Sequence, residues 1–236
     1  MENHILQVEN LKVELAGEDI IKNLSFGVKE GEILTILGSN GAGKTVLLKT
    51  LLGFLPYQGK IRWGKKIKIG YLPQGLTSLK VKDLPLTVEE FFNLKKATKD
   101  KILKFLEQVG VKEKSFLKKK IGDLSSGQFQ RMLIAWALID KPKILFFDEP
   151  TTGIDVGGEE TIYSLLYQFW KKGDLTILLI THDLNIVYKY STNVLCLNKK
   201  GFHCYGPAEE ILTPKNLARI YGAGIKFYKH KNKLKK

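Results

Sequence analysis

Apolar and polar residues alternate from Leu6 to Glu14 and again from Leu24 to Val28, the period of half-buried strands. The chain is therefore predicted to open with an antiparallel strand layer. Glu32 to Leu37 is an apolar run that predicts a buried strand, and Thr45 to Leu52 follows it at helical spacing. Lys60 to Trp63 and Ile67 to Leu72 predict another strand pair, with Gln74 directly after Pro73 at its end. From Thr87 the period turns helical. Thr87-Val88-Glu89-Glu90 has the form of a capping box, and Ile102, Leu106 and Val109 mark one face of a second helix stopped by Gly110. A further helical pattern runs through Arg131, Leu133, Ile134 and Leu138, so residues 76 to 140 read as a mostly helical insertion. Beyond it, Ile144 to Phe147 and Leu175 to Ile180 are apolar strands, and Val194 to Tyr205 is a hairpin turning at Asn198-Lys199-Lys200-Gly201. Buried strands interleaved with helices predict an α/β domain.

A chain of 236 residues with 44% apolar content has ample core for one large domain, or for a domain with a subdomain. No apolar stretch approaches the ~20 residues that span a bilayer. The start Met1-Glu2-Asn3-His4 lacks the basic and apolar regions of a secretion signal, and two cysteines make no disulfide framework, so a reducing cytoplasm is expected. The net charge of +14 raises the possibility of nucleic acid or an anionic membrane surface as partner. Only Arg62, Arg131 and Arg219 among the 38 basic residues are arginines, and readers of base edges lean on arginine. No nucleic-acid partner is expected, and a lysine-rich solvated surface near lipid headgroups fits the composition better. Residues 229–236, mostly lysine, are expected to be a disordered or surface-associated tail.

Candidate chemistry sits at the junctions of these elements. Gly38-Ser39-Asn40-Gly41-Ala42-Gly43-Lys44-Thr45 fits the spacing G-x-x-x-x-G-K-[ST] and lies between a predicted strand and a predicted helix. From the chain's own composition such a match is expected by chance only about 0.03 times. The glycines let backbone N–H groups wrap phosphate oxygens, the helix start adds partial positive charge, and Lys44 supplies a full charge toward the β and γ phosphates. Thr45 is the candidate Mg²⁺ ligand, and Val46 completes the first turn of the nucleotide site. The apolar strand at Ile144 ends in Asp148 and Glu149. Beside a phosphate loop, Asp148 can reach the Mg²⁺ shell while Glu149, pointing to the other face, can act as general base on a water. Ser125, Ser126, Gly127 and Gln128 precede a helical pattern and form a second anion-cradling helix start. His182, just beyond the strand at Leu175 to Ile180, can contact a γ-phosphate.

Together and in this order the elements resemble the ATP-binding subunit of an ABC transporter, over essentially the whole chain. The resemblance implies a RecA-like core with an antiparallel β subdomain and a helical subdomain at about 76–140, the ATPase domain occupying 1–228. In its terms Gly38 to Thr45 looks like the Walker A loop, Gln74 the Q-loop and a contributor to the metal shell, Leu124 to Gln128 the signature loop, Ile144 to Glu149 the Walker B strand, Asp155 the D-loop acid, and His182 the switch histidine. It implies ATP and Mg²⁺ as cofactors, Glu149, His182 and Lys44 as catalytic residues, and a head-to-tail dimer in which each ATP is gripped by one copy's Walker A loop and the other's signature loop. It further implies an integral membrane permease, an extracytoplasmic metal-binding protein in the same system, and a peripheral location on the cytoplasmic face of the bacterial inner membrane. The stretches Lys66 to Gln74, Leu84 to Val88, Gly153 to Val156 and Val194 to Asn198 look most like the ATPases of zinc importers, with manganese and iron importers close by. The chain departs from the pattern in three places. Ser126 stands where the family usually has glycine, Leu15 stands where an aromatic commonly stacks on adenine, and the tail keeps only His230 where some relatives are histidine-rich. Cys196, His203 and Cys204 offer zinc-type ligands on the hairpin but lack a fourth ligand and zinc-finger spacing. The plainer expectation is a core cysteine and a surface His-Cys pair.

Overall fold

The computed structural model describes residues 4–74, 83–149, 156–173 and 175–222, with the backbone alone described over 156–161. Two long strands, β1 (His4–Leu15) and β2 (Glu18–Lys29), pair antiparallel, and β4 (Gln58–Trp63) pairs antiparallel on the other edge of β1. Alternation puts Leu6, Val8, Leu11 and Val13 of β1 on the buried side of this three-stranded sheet.

The second sheet has six strands in the order β5-β6-β7-β3-β8-β9. Its members are β3 (Ile33–Gly38), β5 (Ile69–Leu72), β6 (Ile144–Asp148), β7 (Thr176–Ile180), β8 (Asn193–Leu197) and β9 (His203–Pro207). All pairs are parallel except β8 with β9. β3, β6 and β7 are buried along their whole length, as continuous apolar runs require when both faces are covered. The expected strand pair after Gly53 is corrected here. β4 and β5 do not pair with each other but join different sheets, because Gly64, Lys65 and Lys66 make a turn with Lys66 at φ 54° that carries the chain between them.

One core, on one face of the parallel sheet, joins Leu145, Phe147, Ile177 and Leu179 to α2 (Val88–Asn93), α3 (Lys99–Gln108) and α4 (Ser126–Leu138). The Thr87–Glu90 capping box forms at α2, and Gly110, at φ 82°, ends the helical stretch after α3. Another core, on the opposite face, packs Leu34, Ile36, Phe146 and Ile180 with α1 (Lys44–Leu51) and the antiparallel sheet. A third is formed by Leu37, Val194 and Cys196 with α6 (Leu184–Tyr190), α7 (Ala208–Ile211) and α8 (Pro214–Tyr221); α5 (Val156–Lys171) packs in the first. No helix among the described residues is long and apolar enough to cross a membrane.

The cysteines depart from expectation. Cys196 and Cys204 stand directly opposite each other in the β8–β9 ladder, Cα atoms 4.9 Å apart, and form a disulfide. It joins neighbours across one hairpin and so staples that hairpin without tying distant segments. Cys204 is thus paired inward and not with His203, and no group of three His, Cys, Asp or Glu among the described residues is arranged to hold a metal.

Candidate active site

All the phosphate-loop residues lie at the C-terminal end of β3, where the strand gives way to α1. Gly38 is the last strand residue. A Cβ there would stand 2.6 Å from the Leu197 carbonyl oxygen, so only glycine lets the loop leave the sheet beside β8. Gly41 and Gly43 take left-handed φ of 75° and 91°, and Gly43 is the N-cap of α1. Asn40 and Gly41 are exposed at the loop tip, Ala42 is buried, and Thr45 and Val46 are half-buried on the first helical turn.

Lys44 is buried and folds back under the loop, where its Nζ donates to the carbonyls of Gly38 (2.9 Å) and Ser39 (3.2 Å). Ser39 also accepts from the Ala42 N–H. Burial lowers the Lys44 pKa from 10.5, against the pull of Glu149 and Asp148.

Two acids end β6 in different surroundings. Asp148 is 1% exposed, with Oδ2 accepting from Thr45 Oγ1 at 3.3 Å and Oδ1 buried with no partner among the described residues. Burial pushes its pKa up to about 6, the Thr45 hydrogen bond opposing. A buried carboxylate oxygen with an open valence beside a hydroxyl and a phosphate loop is a donor set that fits a hard divalent cation. Glu149 follows at φ 43°, a left-handed value that a non-glycine residue adopts at a cost of order 1–3 kcal/mol. Its N–H donates to Ile180 O, anchoring it to the end of β7.

Gln74 Nε2 donates to Glu149 Oε2 at 2.7 Å, and His182 Nδ1 lies 4.0 Å from Oε1. Glu149 is thus flanked by Gln74 and His182. The His182 side chain is 72% exposed, so this side of the site opens to solvent. Behind it, buried Thr181 accepts from the Asp183 N–H and Asp183 caps α6, which fixes the turn that carries the histidine.

Ser125, Ser126, Gly127 and Gln128 begin α4 on the helical side. Ser125 Oγ accepts from the Gln128 N–H and Gln128 Oε1 accepts from the Ser125 N–H, so a capping box closes at the start of α4. A Cβ on Gly127 would meet nothing within 4 Å, which leaves that approach open. Asp155 lies outside the described residues. Sequence reasoning missed Tyr71 on β5, whose phenol burial pushes up to about 12, Asp148 adding to the effect. The position was visible as an aromatic three residues before Gln74.

A family model described as ABC transporter matches residues 21–152, more than half of the chain. The chain is an ATP-binding subunit of the ABC transporter family. It is 38% identical over 224 residues, 92% of its own length and 90% of the relative's, to a probable metal transport system ATP-binding protein of Thermotoga maritima. It is also 38% identical over 224 residues, 94% of the chain and 91% of the relative, to the zinc import ATP-binding protein ZnuC of Buchnera aphidicola. Among solved structures it resembles an inward-facing putative metal-chelate type ABC transporter, with TM-score 0.81 and 29% identity over 93% of this chain and 89% of that one. The fold is the RecA-like core of ABC ATPases with its antiparallel and helical parts, and the chain is an ABC-type ATPase.

The raised pKa of Asp148 has a measurable consequence. Its folded value of about 6 lies above the ordinary carboxylate value of 3.8, so the folded state takes up the proton first. Native stability should therefore rise relative to Asp148→Asn as pH falls from 7.5 to 5 in the absence of nucleotide. Urea unfolding of both proteins at the two pH values checks this, and a difference independent of pH would contradict it.

Proposed function

We propose that this subunit powers import of a divalent metal ion, with zinc as the first candidate. The observation that supports the motor reading is the convergence of Lys44, Thr45, Asp148, Glu149, Gln74 and His182 on one loop end. The names of the relatives support the cargo.

ATP would lie along Gly38 to Val46, its phosphates wrapped by backbone N–H groups and held by Lys44. Thr45 and Asp148 would hold Mg²⁺, with Gln74 at the edge of its shell; bound there, the ion would neutralise phosphate oxygens. Glu149 would take the proton of the attacking water, and His182 would face the γ-phosphate. The contacts that Glu149 makes with Gln74 and with His182 keep its carboxylate aimed. The Ser125 to Gln128 helix start would complete the site of a second copy, together with Asp155, and ATP would close the two copies head to tail. The same reading assigns an ATPase domain over 1–228 and a basic tail over 229–236. It sets the subunit on the cytoplasmic face of a bacterial inner membrane, docked on a permease served by an extracytoplasmic metal-binding protein.

The test is uptake of labelled zinc and manganese in cells lacking this chain, complemented by the native protein or by Glu149→Gln. Loss of zinc uptake alone, restored only by the native protein, is the expected result. Loss of manganese uptake alone would move the cargo, and no loss of either would overturn metal import.

A further inference from the structure

The turn between β8 and β9 reaches the phosphate loop from outside. A Cβ built on Gly41 would stand 2.9 Å from Lys199 Cε and 3.1 Å from its Nζ. The ammonium therefore lies about a methyl's reach from the exposed tip of the loop. From these contacts we propose that Lys199 is a second lysine of the nucleotide site, binding the phosphate chain of a nucleoside di- or triphosphate; this rests on the nucleotide-site reading given above.

The position is built. Asn198 Oδ1 accepts from the N–H groups of Lys200 and Phe202, both at 2.9 Å. Its Nδ2 donates to the Arg219 carbonyl at 3.1 Å, tying the turn to α8. Gly201, at φ 78°, closes the turn through its N–H to the Asn198 carbonyl. The Cys196–Cys204 disulfide joins the two strands one ladder pair below Leu197 and His203, and Leu197 is in register with Gly38. The stem under Lys199 is thus the same ladder that carries the phosphate loop.

Lys199 makes no ion pair among the described residues, so its charge is not committed to a neighbouring carboxylate. Nearby backbone N–H groups bind the same anion, but a flexible ammonium at the tip adds a full charge to a ligand carrying several negative ones. The side chain is exposed, so its contribution is moderate and screened by salt.

The experiment measures ADP and ATP affinity by displacement of a fluorescent nucleotide at 50 and 500 mM salt. It compares the native chain with Lys199→Ala, Lys199→Arg and the neighbour control Lys200→Ala. Lys199→Ala should weaken both nucleotides about 3- to 10-fold at low salt, less at high salt, while the other two stay within about twofold of native. ADP is the deciding ligand, because in the reading above it is ATP that closes the dimer. Unchanged ADP affinity in Lys199→Ala overturns the proposal, and if ATP-driven dimerisation alone is weakened, Lys199 touches the second copy instead. A native chain that binds neither nucleotide overturns the nucleotide site itself, and the proposal with it.

Discussion

Glu149→Gln should lower ATP turnover by about 10²- to 10⁴-fold, the usual range for loss of a general base, while nucleotide binding survives. The substitution is conservative where it has to be. Gln74 Nε2 donates to Glu149 Oε2 at 2.7 Å, and an amide oxygen can still accept that bond. The left-handed φ of 43° is no harder for glutamine than for glutamate, and the backbone bond to Ile180 does not involve the side chain. Lys44, Thr45 and Asp148 are untouched, so in the proposed site the phosphates and the metal would keep their ligands. What disappears is a carboxylate able to take a proton from water. With hydrolysis blocked, ATP should accumulate a dimer that native protein forms only transiently, and size-exclusion chromatography with and without ATP would detect it. A variant that hydrolysed ATP at the native rate would remove Glu149 from the base role, whatever its oligomeric state.

Why these residues were legible in the sequence, and others were not, follows from the range of the interactions that place them. The phosphate loop, the Asp148-Glu149 pair and the capping box at Thr87 are set by residues within a few positions of each other, so spacing alone locates them. The buried strands β3, β6 and β7 were legible because two covered faces demand unbroken apolar runs. The partner of a strand is a different matter. Nothing local in Ile67 to Leu72 tells that β5 pairs with β6 across 75 residues and not with β4 just before it. The cysteines failed for the same reason, since their pairing depends on the hairpin register that sets Cys196 opposite Cys204. The closed capping box at Ser125 also shows a limit of motif reading. A set of residues suited to bind an anion can be occupied locally by its own hydrogen bonds, and only the geometry tells how much of it stays open. Lys199 carried no signal at all, being one of two adjacent lysines in a turn of a lysine-rich chain, until the ladder brought it to Gly41.

Lys44→Ala should abolish measurable ATP-induced stabilisation without unfolding the chain. The ammonium is buried, and burial lowers its pKa from 10.5, which means that the folded protein holds this charge at a cost in neutral solution. The sign is that of a depressed basic group: the cost is present at pH 7 and fades as pH rises toward 10.5. Removing the charge relieves that cost, while the lost stem packing and the freed carbonyls of Gly38 and Ser39 work in the other direction. The two effects oppose, so the melting temperature without nucleotide should move by only a few degrees. Nucleotide binding has no such compensation, because the cation proposed to meet the β and γ phosphates is gone. Saturating Mg-ATP at about 100 times Kd adds roughly 2.7 kcal/mol to a folded state that binds it, which for a chain of this size raises Tm by about 5–10 °C. The native protein should show that rise and Lys44→Ala should show none. A variant that melts as the native chain does and still gains the full shift would mean that Lys44 spends its charge on the loop carbonyls and not on the ligand.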